Sequence, residues 1–353
     1  MENGKYIAYV GTYTYGDSKG IYKLTLNENN STIENIEPVS ELSYPTYLTI
    51  NKNNTHLYSV AKNGVEGGAY AFEINPIDYS LKALDHNFKE GKSPCHIILD
   101  KNDNYLFTSN YHEAELISYK IASDGSIEKA VDTVIHSGDG PNKPRQDSAH
   151  IHFADLTPDN KYIYTIDLGL DKVSLYKLKD GYFKEVADLN ITPGSGPRHM
   201  EFHPNGAFSY LLNELSSKIT VLKYHKDKPS FEEVEYISML PADCSVESTG
   251  AAIHISSNGD YLYASNRGHD SITVFKVDSV SGKLTFASNT KLQGQSPRDF
   301  SISPSGKFLL AANQTTSNVE LYSINQLTGE LTYLNISEHI PNPVCIKFLN
   351  QAN

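Results

Sequence analysis

The sequence predicts an all-β fold: a seven-bladed β-propeller of four-stranded blades, its ring closed by the C-terminal strand pairing with the N-terminal strands. Three observations predict it. A short aromatic strand motif recurs along the chain at intervals of 46 to 57 residues. Strand-forming residues dominate, with 24 Tyr and short runs of Val, Ile and Thr, and there is no Trp. The first and last units are incomplete in complementary ways.

The repeat is read from the segments THLYSVAKNG, NYLFTSNYHE, KYIYTIDLGL, AFSYLLNELS, DYLYASNRGH and KFLLAANQTT. Aligned on the small or polar residue after the aromatic strand, they give the column Ala61, Asn110, Asp167, Asn213, Asn266 and Asn313. The intervals are 49, 57, 46, 53 and 47 residues, the spacing of propeller blades. Three places earlier stand Tyr58, Phe107, Tyr164, Tyr210, Tyr263 and Leu310. Stepping back from Ala61 reaches Thr12, with Tyr9 three before it, and completes seven.

Each unit opens with a strand-like segment such as PTYLTI or PRHMEFH, followed by a turn such as NKNN, TPDN, HPNG, SSNG or SPSG. The aromatic strand comes next, then an alternating strand such as SITVFKV, a polar turn and a fourth strand. No stretch carries a helical period. The chain begins at the aromatic strand, YIAYVGT, and ends with the missing opening strand, NPVCIKFL. Pairing the two closes the ring and removes edges that invite aggregation. Length alone would point to two domains, but a repeat fold buries each unit against its neighbours, so residues 1–353 read as one domain.

The net charge of −12, without any Lys/Arg cluster beyond two or three residues, argues against nucleic acid and anionic membrane surfaces. A small anionic ligand remains compatible with a local ring of Arg. No apolar run is long enough to span a bilayer, and MENGKYIAYVG lacks a signal-peptide core. Cys95, Cys244 and Cys345 are widely spaced and odd in number, which fits a reducing cytoplasm better than a disulfide or metal set.

The repeat also supplies geometry. The opening and aromatic strands form an antiparallel hairpin, so the start of one and the end of the other share a face. Two columns therefore converge at one channel mouth. The first lies 15 residues before the Asn/Asp column and reads Thr46, Cys95, His152, Arg198, Ala251 and Arg298. The second, one residue after it, reads Tyr13, Lys62, Tyr111, Leu168, Glu214, Arg267 and Gln314. A purely structural repeat would hold similar residues in each column. These vary from blade to blade, which marks a binding site at the ring's centre. His150, two before His152, is expected to point the same way along its strand. Taken singly, an Arg here could pair with a neighbouring carboxylate and a His could be a hydrogen-bonded structural group; the convergence of His152, Arg198, Glu214 and Arg267 argues for function. The Asn/Asp column itself reads as turn bracing.

With those residues in view, the chain resembles the propeller-type lactonase family, which includes bacterial propeller 6-phosphogluconolactonases and fungal carboxy-muconate cyclases. The likeness runs through YVGTYT, GPNKPRQDSAHIHFADLTPDNKYIYTIDLG, PGSGPRHMEFHPNGAFSYLLNEL, LYASNRGHDSI and SPRDFSISPSGKFLLAANQ, over all seven units. The resemblance implies that the site His, Arg, Glu and second Arg fall on His152, Arg198, Glu214 and Arg267. In STGAAIHIS, Ala252 stands where relatives often carry an acidic residue. The implied activity is hydrolysis of 6-phosphoglucono-1,5-lactone to 6-phosphogluconate, a step of glucose metabolism in the pentose phosphate pathway.

A sugar δ-lactone is an activated ester. Its hydrolysis needs a base for water, stabilisation of the tetrahedral oxyanion and a clamp on the substrate, but no metal or other cofactor. Glu214 or His152 is the candidate base. Arg198 and Arg267 are the candidate oxyanion or phosphate ligands, with His150 and Arg298 as further substrate-binding residues. Three alternatives stay open: a cycloisomerase closing a muconate-type dicarboxylate on the same residues, a metal-dependent propeller lactonase with Ca²⁺ in the channel, and a non-enzymatic scaffold.

Overall fold

Each repeat folds into one antiparallel sheet of four strands, and seven such sheets stand in a ring. The structure, a computed structural model, describes residues 4–351. Its strands are numbered β1–β28 in chain order. Among the described residues there is no helix, and so none long and apolar enough to cross a membrane.

The innermost strands are the opening segments of the repeats: β4 (Leu48–Ile50), β8 (His96–Leu99), β12 (Ile151–Leu156), β16 (Pro197–Phe202), β20 (Thr249–Ile255), β24 (Pro297–Ile302) and β28 (Pro343–Phe348). Each touches the next, and β28 touches β4, which closes the circle around the channel. The predicted closure is present. β28 pairs antiparallel with β1 (Lys5–Thr12), with Val10 opposite Ile346.

The turns after the inner strands show why Asn, Asp and Gly recur in them. Asn54, Asp103, Asn160, Gly206, Gly259 and Gly306 occupy the same place in six blades, and all have φ between 56° and 82°. That left-handed backbone is tolerated by Asn and Asp and is free of steric cost for Gly.

The aromatic column lies between blades. Tyr9, Tyr58, Tyr164, Tyr210 and Tyr263 are fully buried among the apolar clusters that separate neighbouring sheets. Three of them reach across to the outer hairpin of the next blade: Tyr9 donates to Tyr79 O, Tyr58 to Gly125 O and Tyr263 to Gly329 O, at 2.8–3.0 Å. Where the column holds Phe107, the hydroxyl is supplied by its ladder partner Ser118, which donates to Gly181 O in the following blade at 2.6 Å. A buried carbonyl without a partner would cost about 1–3 kcal/mol, and in this blade Ser118 supplies the tie that Phe107 cannot, whereas the Tyr210 hydroxyl has no partner.

Candidate active site

Five inner strands carry a β-bulge at the place of the column residue. The register slips at His152 in β12, at Arg198 in β16, at Ala251–Ala252 in β20, at Arg298 in β24 and at Val344 in β28. A bulge inserts an unpaired residue and re-aims its side chain, so the backbone is adapted at the positions that differ in chemistry from blade to blade. Glu214 follows strand β17 (Phe208–Asn213), and Arg267 ends β21 (Tyr261–Arg267). Both columns therefore meet at one mouth, around a cleft of about 530 Å³.

Glu214 is the hub, 4 % exposed. Its Oε1 is 2.5 Å from Arg145 Nη2, and its Oε2 is 3.0 Å from Arg198 Nε and 2.9 Å from Arg267 Nη2. Burial alone would raise this carboxyl. The charges of Arg267 and Arg198, with the hydrogen bond from Arg145, instead hold it well below the usual carboxylate range. One carboxylate cannot offset three guanidiniums. Burial together with the Arg298 and Arg267 charges accordingly brings Arg198 down to about 10, still protonated at neutral pH.

His152 is 6 % exposed and lines the cleft. Burial, reinforced by the Arg198 charge, pushes its imidazole well below its ordinary value, so it stays neutral. Its Nδ1 has no hydrogen-bond partner. Cys95 also lines the cleft, but burial pushes its thiol up to about 11, which keeps it out of the thiolate form.

Of the six predicted site residues, His152, Glu214, Arg267 and Arg298 line this cleft. Arg198 lies beneath it, 4 % exposed, against a cavity of about 30 Å³, and donates Nη1 to Ala251 O. From there it polarises the floor rather than gripping a ligand in the open cleft. His150 departs from expectation. The bulge at His152 interrupts the two-residue alternation, and His150 instead stacks flat on Tyr111 at 4.1 Å and bonds Tyr111 O through Nδ1 at 2.8 Å. It buttresses a lining residue and does not line the cleft. Ala252 is buried in an apolar cluster, also away from it.

Arg145 is the residue that the columns missed. It belongs to the loop between β11 (Ile127–Ile135) and β12, which lengthens one repeat to 57 residues, and it has no counterpart in the other blades. That long interval, within GPNKPRQDSAHIHF, was the signal available. The Asn/Asp column braces turns: Asn110 donates to Lys92 O, and Asp167 accepts from His150 N and Leu170 N.

A layer of rings, Tyr47, His96, Phe153 and His199, fills the channel below the cleft. Beyond it the opposite mouth opens into a second cavity of about 560 Å³. Its lining mixes both signs, with Lys101, His254 and Lys347 beside Asp155 and Glu201; His254 lies 3.3 Å from Glu201 and 3.6 Å from Asp299, and Lys347 sits over the Tyr47 ring. The upper cleft differs, with five cations (Lys62, Lys92, Arg145, Arg267 and Arg298) facing it and Glu214 as the one lining carboxylate. In a protein of net charge −12 this is a concentrated anion site.

Comparison with known proteins agrees with this architecture. The family described as seven-bladed β-propeller lactonase matches residues 7–348. A 6-phosphogluconolactonase of Bacillus subtilis is 40 % identical over 348 residues, covering 99 % of both chains. Among solved structures, a Lactobacillus plantarum protein superposes with a TM-score of 0.94 at 37 % identity, covering 98 % of this chain and all of the other. The periplasmic gluconolactonase of Pseudomonas aeruginosa gives 0.92 at 29 % identity, covering 98 % of this chain and 99 % of its own.

Proposed function

The chain belongs to the family of seven-bladed β-propeller lactonases, and from that premise we propose that it hydrolyses 6-phosphoglucono-1,5-lactone at the upper cleft. It is a lactone hydrolase. The observation that carries the phosphorylated substrate is the excess of cations in that cleft. An uncharged lactone needs no such excess, whereas a phosphate monoester brings about two negative charges at neutral pH.

In this reading water attacks the lactone carbonyl and gives its proton to His152, which is neutral and faces the cleft. The oxyanion is stabilised by the Arg145 and Arg267 guanidiniums, already fixed in position. Collapse of the tetrahedral intermediate breaks the bond from the carbonyl carbon to the ring oxygen. The protonated His152 returns its proton to that oxygen, and the carboxylic acid formed loses its own proton to solvent and leaves as the carboxylate. Glu214 acts as a clamp on three Arg side chains. With both oxygens occupied and its basicity suppressed, it is the weaker base of the two.

The test is hydrolysis of the phosphorylated lactone by purified protein, corrected for spontaneous ring opening. Turnover above background supports the reading. Ring closure of a muconate-type dicarboxylate without lactone hydrolysis would replace it with the cycloisomerase. The three free thiols fit a reaction in the cytoplasm, and fractionation of the cells would check that location.

A further inference from the structure

The six basic residues at the upper mouth divide into two groups. Arg145, Arg198 and Arg267 are all held by Glu214. Lys62, Lys92 and Arg298 face the cleft, and none of them is in an ion pair. The groups also differ in place. Arg198, Glu214 and Arg267 belong to the sheets beginning at β16 and β20, and Arg145 precedes the sheet beginning at β12. Lys62 sits in the sheet beginning at β4, Lys92 precedes β8, and Arg298 sits in β24, so these span the remaining arc of the ring.

The free group has its own scaffold. The Lys62 ammonium stands 5.5 Å over the Tyr44 ring, and the Arg298 guanidinium 5.4 Å over the Tyr13 ring. Tyr13 and Tyr44 meet edge to face at 5.8 Å, and Tyr13 stacks on Tyr15. Cation–π contacts orient a charge without neutralising it. The aromatic pair therefore holds two cations side by side and leaves both free to take an anion.

We infer that Lys62, Lys92 and Arg298 form a phosphate subsite that makes this lactonase select a phosphorylated sugar lactone over its unphosphorylated counterpart. The substrate's phosphate sits on the Tyr13–Tyr44 side of the cleft, and its carbonyl faces His152 and the guanidiniums clamped by Glu214. The two ends of the substrate thus meet two chemically distinct cation sets: one dedicated to a permanent dianion, the other to charge that develops only during reaction. Part of this rests on the substrate proposed above.

The experiment measures kcat/KM for 6-phosphoglucono-1,5-lactone and for glucono-1,5-lactone with wild type, the Lys62→Ala/Lys92→Ala/Arg298→Ala variant and the single Lys92→Ala variant. Lys92 is exposed, so its replacement leaves the fold intact if the triple variant fails to fold. The ratio of the two kcat/KM values should fall about tenfold or more in the triple variant, mainly through KM for the phosphorylated lactone, and less in Lys92→Ala. Inhibition by inorganic phosphate should weaken in parallel. Wild type inactive on the phosphorylated lactone would sink the substrate assignment. Wild type that prefers it, with variants keeping the same ratio and the same phosphate inhibition, would sink the subsite alone.

Discussion

Arg198 Nε and Glu214 Oε2 lie 3.0 Å apart across the β16–β17 hairpin, where the register slips to leave Arg198 unpaired on its bulge. The pair joins the start of one strand to the end of the next and is almost wholly buried. Removing one partner of a buried pair strands a charge, at a cost of about 3–5 kcal/mol.

Glu214→Gln and His152→Asn should therefore fail differently. The first frees three guanidiniums and should lower Tm, with KM rising and kcat falling together. The second should leave Tm near wild type and cut kcat by about 10²–10⁴, the usual contribution of a general base. Thermal melts beside background-corrected rates separate them. Full turnover in His152→Asn removes it as the base.

The pH profile follows from the same burial. The folded His152 has its imidazole well below the ordinary value near 6.5. The acid limb of kcat/KM, which reports the free enzyme's base, should consequently have its midpoint below pH 6.5. A limb at or above that value would mean that a different group accepts the proton.

Stability should fall on both sides of neutrality. Burial keeps His96, His152 and His199 neutral in the fold. Below about pH 6.5 the unfolded chain binds protons there that the fold does not, so stability drops as pH falls. His254 has the opposite sign. Burial opposes its charge, but the Asp299 and Glu201 carboxylates, which accept from its ring N–H groups, raise it to about 9. Its contribution is complete below about pH 6.5 and is lost as pH rises through about 9. His254→Ala should flatten the alkaline side of a denaturation series and leave the acid side unchanged.

Tyr58→Phe removes the donor to Gly125 O while keeping the ring in its pocket. The expected loss is about 1–3 kcal/mol, the cost of orphaning a buried carbonyl. Chemical denaturation would read it, and an unchanged midpoint would mean that this tie between blades contributes nothing.

Deletion from Pro343 onward removes β28 and leaves β1 with an open edge. Such an edge pairs with other chains, so the truncated protein should elute as aggregate in size-exclusion chromatography. A monodisperse, fully active truncation would contradict the role of this strand.

The sevenfold column made the fold legible because each blade repeats the same requirements: an aromatic residue between sheets, an Asx or Gly in the turn, and a polar brace at the strand end. His152, Arg198, Glu214, Arg267 and Arg298 were legible because they break that repetition at fixed register. What escaped lay outside the register. Arg145 comes from a loop unique to one blade, and the bulge at His152 diverted His150 onto Tyr111. The division of the cations into clamped and free sets depends on which side chains reach Glu214, and no one-dimensional pattern records that.

The pairing of Val10 with Ile346 also imposes an order in time. Six blades are built from contiguous residues and can form one after another as the chain leaves the ribosome. The seventh cannot, because its innermost strand, β28, follows the other six blades in the chain and its second strand, β1, precedes them. β1 must wait while six whole blades are made before its partner exists. Completion of the ring is thus a pairing of very long sequence separation, and its rate should govern how quickly newly made chains become active.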